Sequence, residues 1–139
     1  MFHFLKNEHS VTIISPNEFT EILNFLPGSE NIIVYESQKE KSDILFDEAE
    51  IIFTLDFNSL GRAKNVSYKI SKSSAKVIMI DHHENPDDYA DFMISNSKMS
   101  STSEMIYDFI SYIDSNKISI HKDKDKKIKV IAGKFENAE

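Results

Sequence analysis

Four side chains that can bind a metal ion or carry a proton directly follow two apolar runs of the sequence. The run AKVIMI ends in Asp81, His82 and His83, and the run IIFTL ends in Asp56. Such runs are typical of buried parallel strands, and parallel sheets bind ligands beyond the carboxyl ends of their strands. If the two strands are neighbours, about 4.8 Å apart, these carboxylates and imidazoles can reach one ion or a close pair of ions.

The residue types restrict which ion such a site would hold. The chain contains no cysteine, so any metal must be bound by histidine and carboxylate, a donor set that favours Mn²⁺, Mg²⁺ or Fe²⁺ over structural zinc. Two ions about 3.5–4 Å apart can activate a water molecule and clamp a phosphoryl oxygen, which is a route to phosphoester hydrolysis. Two plainer interpretations stay open, because an aspartate after a strand often caps a helix or occupies a turn, and paired histidines also occur on surface loops.

Alternating strand-like and helix-like segments must position these residues. Apolar runs rich in β-branched residues predict strands at residues 11–14, 31–35, 51–55 and 76–80, with an edge strand at 92–94. A Ser-x-x-Glu sequence, which satisfies free amide groups at a helix start, begins at Ser15, Ser37 and Ser101. Apolar stripes at helical spacing follow, and a fourth stripe runs through residues 60–70. The alternation predicts an α/β fold, a mostly parallel sheet with helices on both faces.

After residue 113 this alternation stops. The sequence HKDKDKK is typical of a solvated loop or tail, although it could contact phosphates. Residues 117–121 and 128–131 could pair as a hairpin across this loop, or the segment could be a frayed tail. We therefore divide the chain into an α/β domain, residues 1–113, and a divergent charged segment, residues 114–139.

Length and charge exclude several classes of protein. One packed domain fits 139 residues, since domains commonly have about 100–150 residues. The formal net charge of −7 at pH 7 argues against a protein that wraps long duplex DNA, because phosphate neutralisation requires a basic face. The acidic charge is compatible with short nucleotides that are bound through metal ions. No signal peptide or apolar run near the roughly 20 residues that span a bilayer is present, so we expect a cytoplasmic protein with no membrane partner.

Three ordered motifs resemble those of a known family. They are LDFNSLGR from residue 55, VIMIDHHENPDDYAD from residue 77 and SSTSEMIYDFI from residue 100. Together they resemble the DHH-family phosphoesterases, and within that family the bacterial oligoribonuclease (nanoRNase)/pAp phosphatase branch of the NrnA type, relatives of the RecJ exonucleases. The resemblance covers most of residues 1–113 and implies a Rossmann-like DHH domain.

The resemblance also implies roles for five residues. Asp56 corresponds to an aspartate that bridges two Mn²⁺ ions, and His82 to a direct ligand of one of them. His83 would contact the scissile phosphate and stabilise the charge that develops there, which makes it the catalytic candidate. Asp81 would either orient a neighbour or bind the metal directly. Arg62 matches an arginine that could hold substrate or fix its loop, although an ordinary surface arginine is an equally good interpretation.

The resemblance is incomplete at both ends. Family members begin with a strand that ends in a histidine and an Asp-x-Asp pair, and neither His3 nor His9 has that context. A further aspartate, followed by Thr-Gly-Ser-Phe, has no match in residues 117–139, and the family's smaller C-terminal substrate-binding domain is not found. We therefore expect an incomplete DHH domain that lacks at least three metal ligands, forms the middle of a larger protein and exposes a sheet edge through which it could form a homodimer.

Two functions follow from these expectations. The first is metal-dependent hydrolysis of phosphoester bonds in short oligoribonucleotides and 3′,5′-bisphosphorylated nucleosides. The alternative is a catalytically incompetent, truncated DHH domain that retains at most weak metal or nucleotide binding. An unrelated doubly wound signalling module is a third interpretation.

Overall fold

The computed structural model describes residues 9–115 and 127–132, and in this part of the chain six strands form one sheet. The order across the sheet is β2-β1-β6-β3-β4-β5, and every neighbouring pair is parallel. The strands are β1 (Ser10–Ser15), β2 (Ile33–Val34), β3 (Ile51–Leu55), β4 (Lys76–Asp81), β5 (Phe92–Ser95) and β6 (Lys127–Ala132).

Three α-helices connect or follow these strands. They are α1 (Lys39–Asp47), α2 (Ser67–Lys72) and α3 (Thr102–Ser115). Shorter 3₁₀ helices occupy Glu21–Leu23, Ser29–Asn31 and Leu60–Val66. No helix among the described residues is long and apolar enough to cross a membrane.

Strand β3 separates two layers of the hydrophobic core, because successive side chains of a strand point to opposite faces of the sheet. Ile52 packs with Phe46 of α1 and Ile70 of α2 on one face. Phe53 packs with Met105 of α3 on the other face. All five residues of β3 are buried. The α/β fold with helices on both faces is therefore confirmed.

The strands flanking the candidate site agree closely with the sequence prediction. Strand β3 has the predicted bounds, while β4 and β5 each extend one residue beyond theirs. The predicted strand at residues 31–35 shortens to Ile33–Val34, because the 3₁₀ helix Ser29–Asn31 runs up to it. Among the described strands, β2 and β5 form the two edges of the sheet.

The helix predicted to begin at Ser15 is wrong. Ser15 still belongs to β1, where its carbonyl accepts a hydrogen bond from the Tyr35 backbone at 2.9 Å, so it cannot start a helix. Within the span of the predicted helix, residues 15–26, only the single turn Glu21–Leu23 forms. Two members of the apolar stripe expected to pack this helix on the core are exposed instead, Ile22 to 77% and Leu26 to 41%. Short helices in water depend on such burial.

The stripe at residues 60–70 forms helix, but in two parts. Residues Leu60–Val66 are a 3₁₀ helix and Ser67–Lys72 an α-helix. Ala63, Val66 and Ile70 are buried in the core as the stripe predicted.

The sequence allows two interpretations for the end of the chain, a hairpin and a frayed tail, and neither describes residues 128–131. Residues 128–131 do form a strand, but β6 lies parallel between β1 and β3 and pairs with both of them. Both of its hydrogen-bonding edges are thus occupied within the sheet. Residues 117–121, the other half of the predicted hairpin, lie outside the described residues.

Candidate metal centre

The candidate site lies where β3 and β4 end side by side. The two strands are paired in parallel with Leu55 opposite Ile80. Asp56 continues the ladder by one bond, because its backbone N–H donates to the Ile80 carbonyl at 3.1 Å. Its φ of 66° then turns the chain out of the sheet. Aspartate tolerates this left-handed conformation better than most residues, so the carboxylate is placed just beyond the strand end.

The Asp56 carboxylate is held by the start of α3. Thr102 is the first residue of that helix, its side chain is buried, and its hydroxyl donates to Asp56 Oδ1 at 2.7 Å. The preceding serine begins the helix as predicted, with Ser101 Oγ accepting the Glu104 N–H at 3.2 Å. The helix start thus fixes the rotamer of the acidic side chain while leaving Oδ2 open to a further partner.

His82 faces Asp56 across the strand ends. Its Nδ1 lies 3.3 Å from the Met99 carbonyl oxygen. Since a carbonyl can only accept, this contact requires the proton on Nδ1 and leaves the lone pair on Nε2. Nε2 is 3.8 Å from Asp56 Oδ1. The contact with the Met99 carbonyl therefore favours the tautomer that a metal ligand needs.

His83 is oriented by the buried carboxylate of Asp81. Asp81 is fully buried, and its Oδ1 accepts the backbone N–H of His83 at 2.6 Å. Its Oδ2 lies 2.9 Å from His83 Nδ1. This carboxylate accepts Nδ1–H and leaves Nε2 of His83 available, just as the Met99 carbonyl does for His82.

Asp56, His82 and His83 together form the group that can hold a metal ion. Each offers one ligand atom, and the three atoms lie within 4.8 Å of one another. All three side chains are partly exposed, between 29% and 44%, so an ion can reach them. One carboxylate and two imidazoles suit a divalent ion such as Mn²⁺ or Fe²⁺, and each ligand is fixed from behind by its own hydrogen bond. The residues present fit a divalent metal.

Two predicted site residues lie outside this group. Both carboxylate oxygens of Asp81 contact His83. The resemblance leaves two roles open for Asp81, orienting a neighbour or binding the metal directly, and these contacts favour the first. Arg62 Nη1 lies 3.5 Å from Asn58 Oδ1 in the loop after β3. Arg62 therefore contacts the loop that carries Asp56, in keeping with the interpretation that it fixes this loop.

The loops after β3 and β4 are tied together beneath the site. The hydroxyl of Tyr89 donates to the Phe57 carbonyl at 3.1 Å and lies 2.8 Å from Thr54 Oγ1, which donates to it. Burial raises the pKa of Tyr89 to about 12, so the hydroxyl stays neutral and able to donate. Asn58 adds a second tie, because its Nδ2 donates to the Glu84 carbonyl at 2.6 Å.

Sequence reasoning missed three contributors to this centre. Thr102 was interpreted only as part of a helix start, whereas its hydroxyl binds Asp56. The Met99 carbonyl carries no side-chain signal, so no sequence pattern could have revealed it. Tyr89 could have been suspected, since a largely buried tyrosine usually requires a partner for its hydroxyl. Its partners, however, lie in β3 and in the loop after it and are distant in sequence.

Comparisons with known proteins find similarity in sequence and in fold. The model of the DHH family, N-terminal domain, matches residues 1–133. The solved structure of an exopolyphosphatase-related protein from Bacteroides fragilis superposes with a TM-score of 0.72 at 29% sequence identity. The match covers 80% of this chain and 42% of that protein, so this chain spans less than half of its length. No curated protein sequence matches the chain.

Proposed function

This chain belongs to the DHH family, and on that premise we propose that Asp56, His82 and His83 bind a divalent metal ion for the hydrolysis of phosphoester bonds. The observation that carries the proposal is the convergence of three ligand atoms within 4.8 Å at the carboxyl ends of two adjacent parallel strands. Ligands of parallel sheets bind at this edge. When bound, a divalent ion supplies Lewis acidity toward a phosphoryl oxygen.

We propose Mn²⁺ as the ion, with Mg²⁺ and Fe²⁺ as the alternatives that the same donor set admits. Imidazole ligands favour Mn²⁺ and Fe²⁺ over Mg²⁺, which prefers oxygen donors and retains water. Two ions are expected in the complete site of the family that the sequence resembles. Asp56 would help to hold them through its carboxylate, whose Oδ1 faces His82 and Thr102.

His83 has two proposed roles that differ in the protonation of one atom. As a metal ligand it requires a lone pair on Nε2, which Asp81 provides by accepting Nδ1–H. As a contact to the scissile phosphate it requires a proton on Nε2 as well, which makes the ring a cation. We favour the ligand role, because His83 lies in the three-residue group.

We propose short oligoribonucleotides and 3′,5′-bisphosphorylated nucleosides as the substrates. The acidic net charge of −7 disfavours long duplex DNA, and the motifs resemble the branch that acts on short RNA. The second candidate is a domain that binds metal or nucleotide without turnover. It is favoured by the small ligand set, since Asp56, His82 and His83 are the one such group within residues 9–115 and 127–132, and a pair of ions usually requires more ligands.

The test uses the full chain with Mn²⁺, adenosine 3′,5′-bisphosphate (pAp) and a ribodinucleotide. We expect Mn²⁺ binding that His82→Ala abolishes. His9→Ala is the matched control, because His9 precedes β1 at the opposite end of the parallel sheet. An unchanged Mn²⁺ affinity in His82→Ala rejects the site. Mn²⁺ binding without hydrolysis selects the non-catalytic candidate, whereas rapid hydrolysis by the chain alone excludes it.

His83→Ala separates the two roles of that residue. If His83 binds the metal, the variant loses Mn²⁺ affinity. If His83 contacts the phosphate, Mn²⁺ affinity stays at the level of the unaltered chain and only kcat falls.

A further inference from the structure

An open groove of about 390 Å³ begins at His83 and runs between the loops that follow β4 and β5. One wall carries Glu84 and Asn85, and the other carries Ser95, Asn96 and Lys98. Its lining is therefore mostly hydroxyl and amide groups, with one cation and one carboxylate. The groove adjoins the candidate metal centre at His83, which belongs to both.

The wall that carries Lys98 is a folded turn. Asn96 N–H donates to the Asp81 carbonyl at 3.2 Å, which ties the turn to the end of β4. Asn96 Oδ1 in turn accepts the Lys98 N–H at 3.1 Å, and the Asn96 carbonyl accepts the Met99 N–H at 3.1 Å. Met99 is the residue whose carbonyl holds His82. A single turn thus positions both a metal ligand and the cation of the groove.

Lys98 is available to an anion. Among the residues that the structure describes, no carboxylate lies within 4.0 Å of its ammonium group. Lys76, at the start of β4, is by contrast paired with Asp91 at 2.6 Å. A lysine in this position acts as a point charge for phosphate.

We propose that this groove binds the part of the substrate beyond the scissile phosphate, with Lys98 pairing with a second phosphate group. The proposal rests on the proposed function, since it takes the scissile phosphate to lie at the metal centre. The charge of Glu84 restricts which ligands the groove can bind. Its carboxylate repels a chain of consecutive phosphates but can accept hydrogen bonds from sugar hydroxyls. The groove therefore favours a nucleotide that carries a second phosphate over inorganic polyphosphate.

The experiment measures the affinities of pAp, adenosine 5′-monophosphate and inorganic tripolyphosphate by calorimetry, using the full chain with Mn²⁺. We expect pAp to bind about tenfold more tightly than the monophosphate, the factor expected of one charge-assisted hydrogen bond. Lys98→Ala should remove that difference, and Lys98→Arg should retain it. Glu84→Gln should strengthen tripolyphosphate binding, because it removes the repelling charge.

Lys72→Ala is the matched control, since Lys72 is an exposed lysine at the end of α2, and we expect it to bind all three ligands like the unaltered chain. Equal affinity for pAp and the monophosphate in the unaltered chain, or a Lys98→Ala variant that keeps the preference, overturns the proposal. Hydrolysis is measured separately. A chain that prefers pAp through Lys98 but does not hydrolyse it retains the groove and refutes only the catalytic function.

Discussion

Replacing Asp81 with asparagine should weaken metal binding without changing the shape of the site. The two side chains have nearly the same size, but asparagine has one acceptor oxygen where aspartate has two. In the structure one oxygen of Asp81 accepts the His83 backbone N–H at 2.6 Å and the other accepts from Nδ1 at 2.9 Å. If the amide oxygen keeps the backbone bond, the amide NH₂ faces Nδ1. The imidazole proton then moves to Nε2, and the lone pair that a metal requires is lost.

The magnitude follows from the contacts that are lost. Removing the partner that orients a metal-ligating histidine typically lowers metal affinity about 10- to 100-fold, which corresponds to roughly 1.4–2.7 kcal/mol of binding free energy. The effect on folding should be smaller. A hydrogen bond to a charged group contributes about 1.5–3 kcal/mol, but asparagine also relieves the desolvation of a fully buried carboxylate.

The assay is Mn²⁺ titration of the full chain, with free Mn²⁺ followed by electron paramagnetic resonance and the histidine tautomers by ¹⁵N NMR. Asp88→Asn serves as the control, because Asp88 is an exposed carboxylate in the loop after β4. The control should bind Mn²⁺ like the unaltered chain. Asp81→Asn with unchanged Mn²⁺ affinity, or with the proton of His83 still on Nδ1, would refute the reasoning.

Four further predictions concern the site and the stability of the fold. Thr102→Val should lower Mn²⁺ affinity about tenfold, since the hydroxyl that holds Asp56 Oδ1 contributes about 1.5 kcal/mol to a charged acceptor, while Thr102→Ser should retain it. Ile52→Ala should lower the free energy of unfolding in urea by about 2–5 kcal/mol, because Ile52 is fully buried in the core; exposed Ile22→Ala should change it by less than about 0.5 kcal/mol. The pKa of Tyr89 is raised from 10.0 to about 12, so its contribution to stability is present below pH 10 and lost as the pH rises toward 12. Tyr89→Phe should therefore flatten the decline of stability in that window. The Lys76 ammonium lowers the pKa of Asp91 below its ordinary value of 3.8, so this contribution is present above that pH and lost as the pH falls further; Asp91→Asn should make acid unfolding less steep.

Each of these outcomes can fail in a recognisable way. Equal Mn²⁺ affinity in the valine and serine variants of Thr102 would show that its hydroxyl only caps the helix. Equal costs for Ile52→Ala and Ile22→Ala would contradict the assignment of the core. For Tyr89 and Asp91 the measurement is the free energy of unfolding in urea as a function of pH. A variant whose free energy changes with pH as that of the unaltered chain does would show that the replaced residue does not cause the change.

The parts of the fold that the sequence predicted are those where local pattern and tertiary burial agree. Strand β3 has its predicted bounds because five consecutive apolar or β-branched residues are buried on both faces. The helix predicted from Ser15 fails because the same serine is also needed by the ladder between β1 and β2, and pairing between distant segments overrides a local helix signal. The position of β6 was beyond prediction, since its partners lie more than 70 residues away in the sequence.

The candidate site could be predicted as a set of residue types but not as a set of roles. The sequence placed Asp56 and His82 at adjacent strand ends, where the structure also has them. Asp81 and His83 have different roles because Asp81, the last residue of β4, is buried. The motif places the two residues close together in the sequence but does not reveal which side chain is buried. The partners that fix each ligand come from α3 and the turn before it, so they become visible only when the chain is folded.

The location of β6 has a consequence for how the protein is made. Among the described strands, β2 and β1 are joined to β3, β4 and β5 only through Lys127–Ala132. While the chain is being synthesised, β6 cannot join these two groups of strands until its residues begin to leave the ribosome. Closure of the sheet is therefore a late, long-range event, and such events fold slowly and leave strand edges open to aggregation. Ribosome-bound chains halted before residue 127 should accordingly be sensitive to protease and dependent on chaperones.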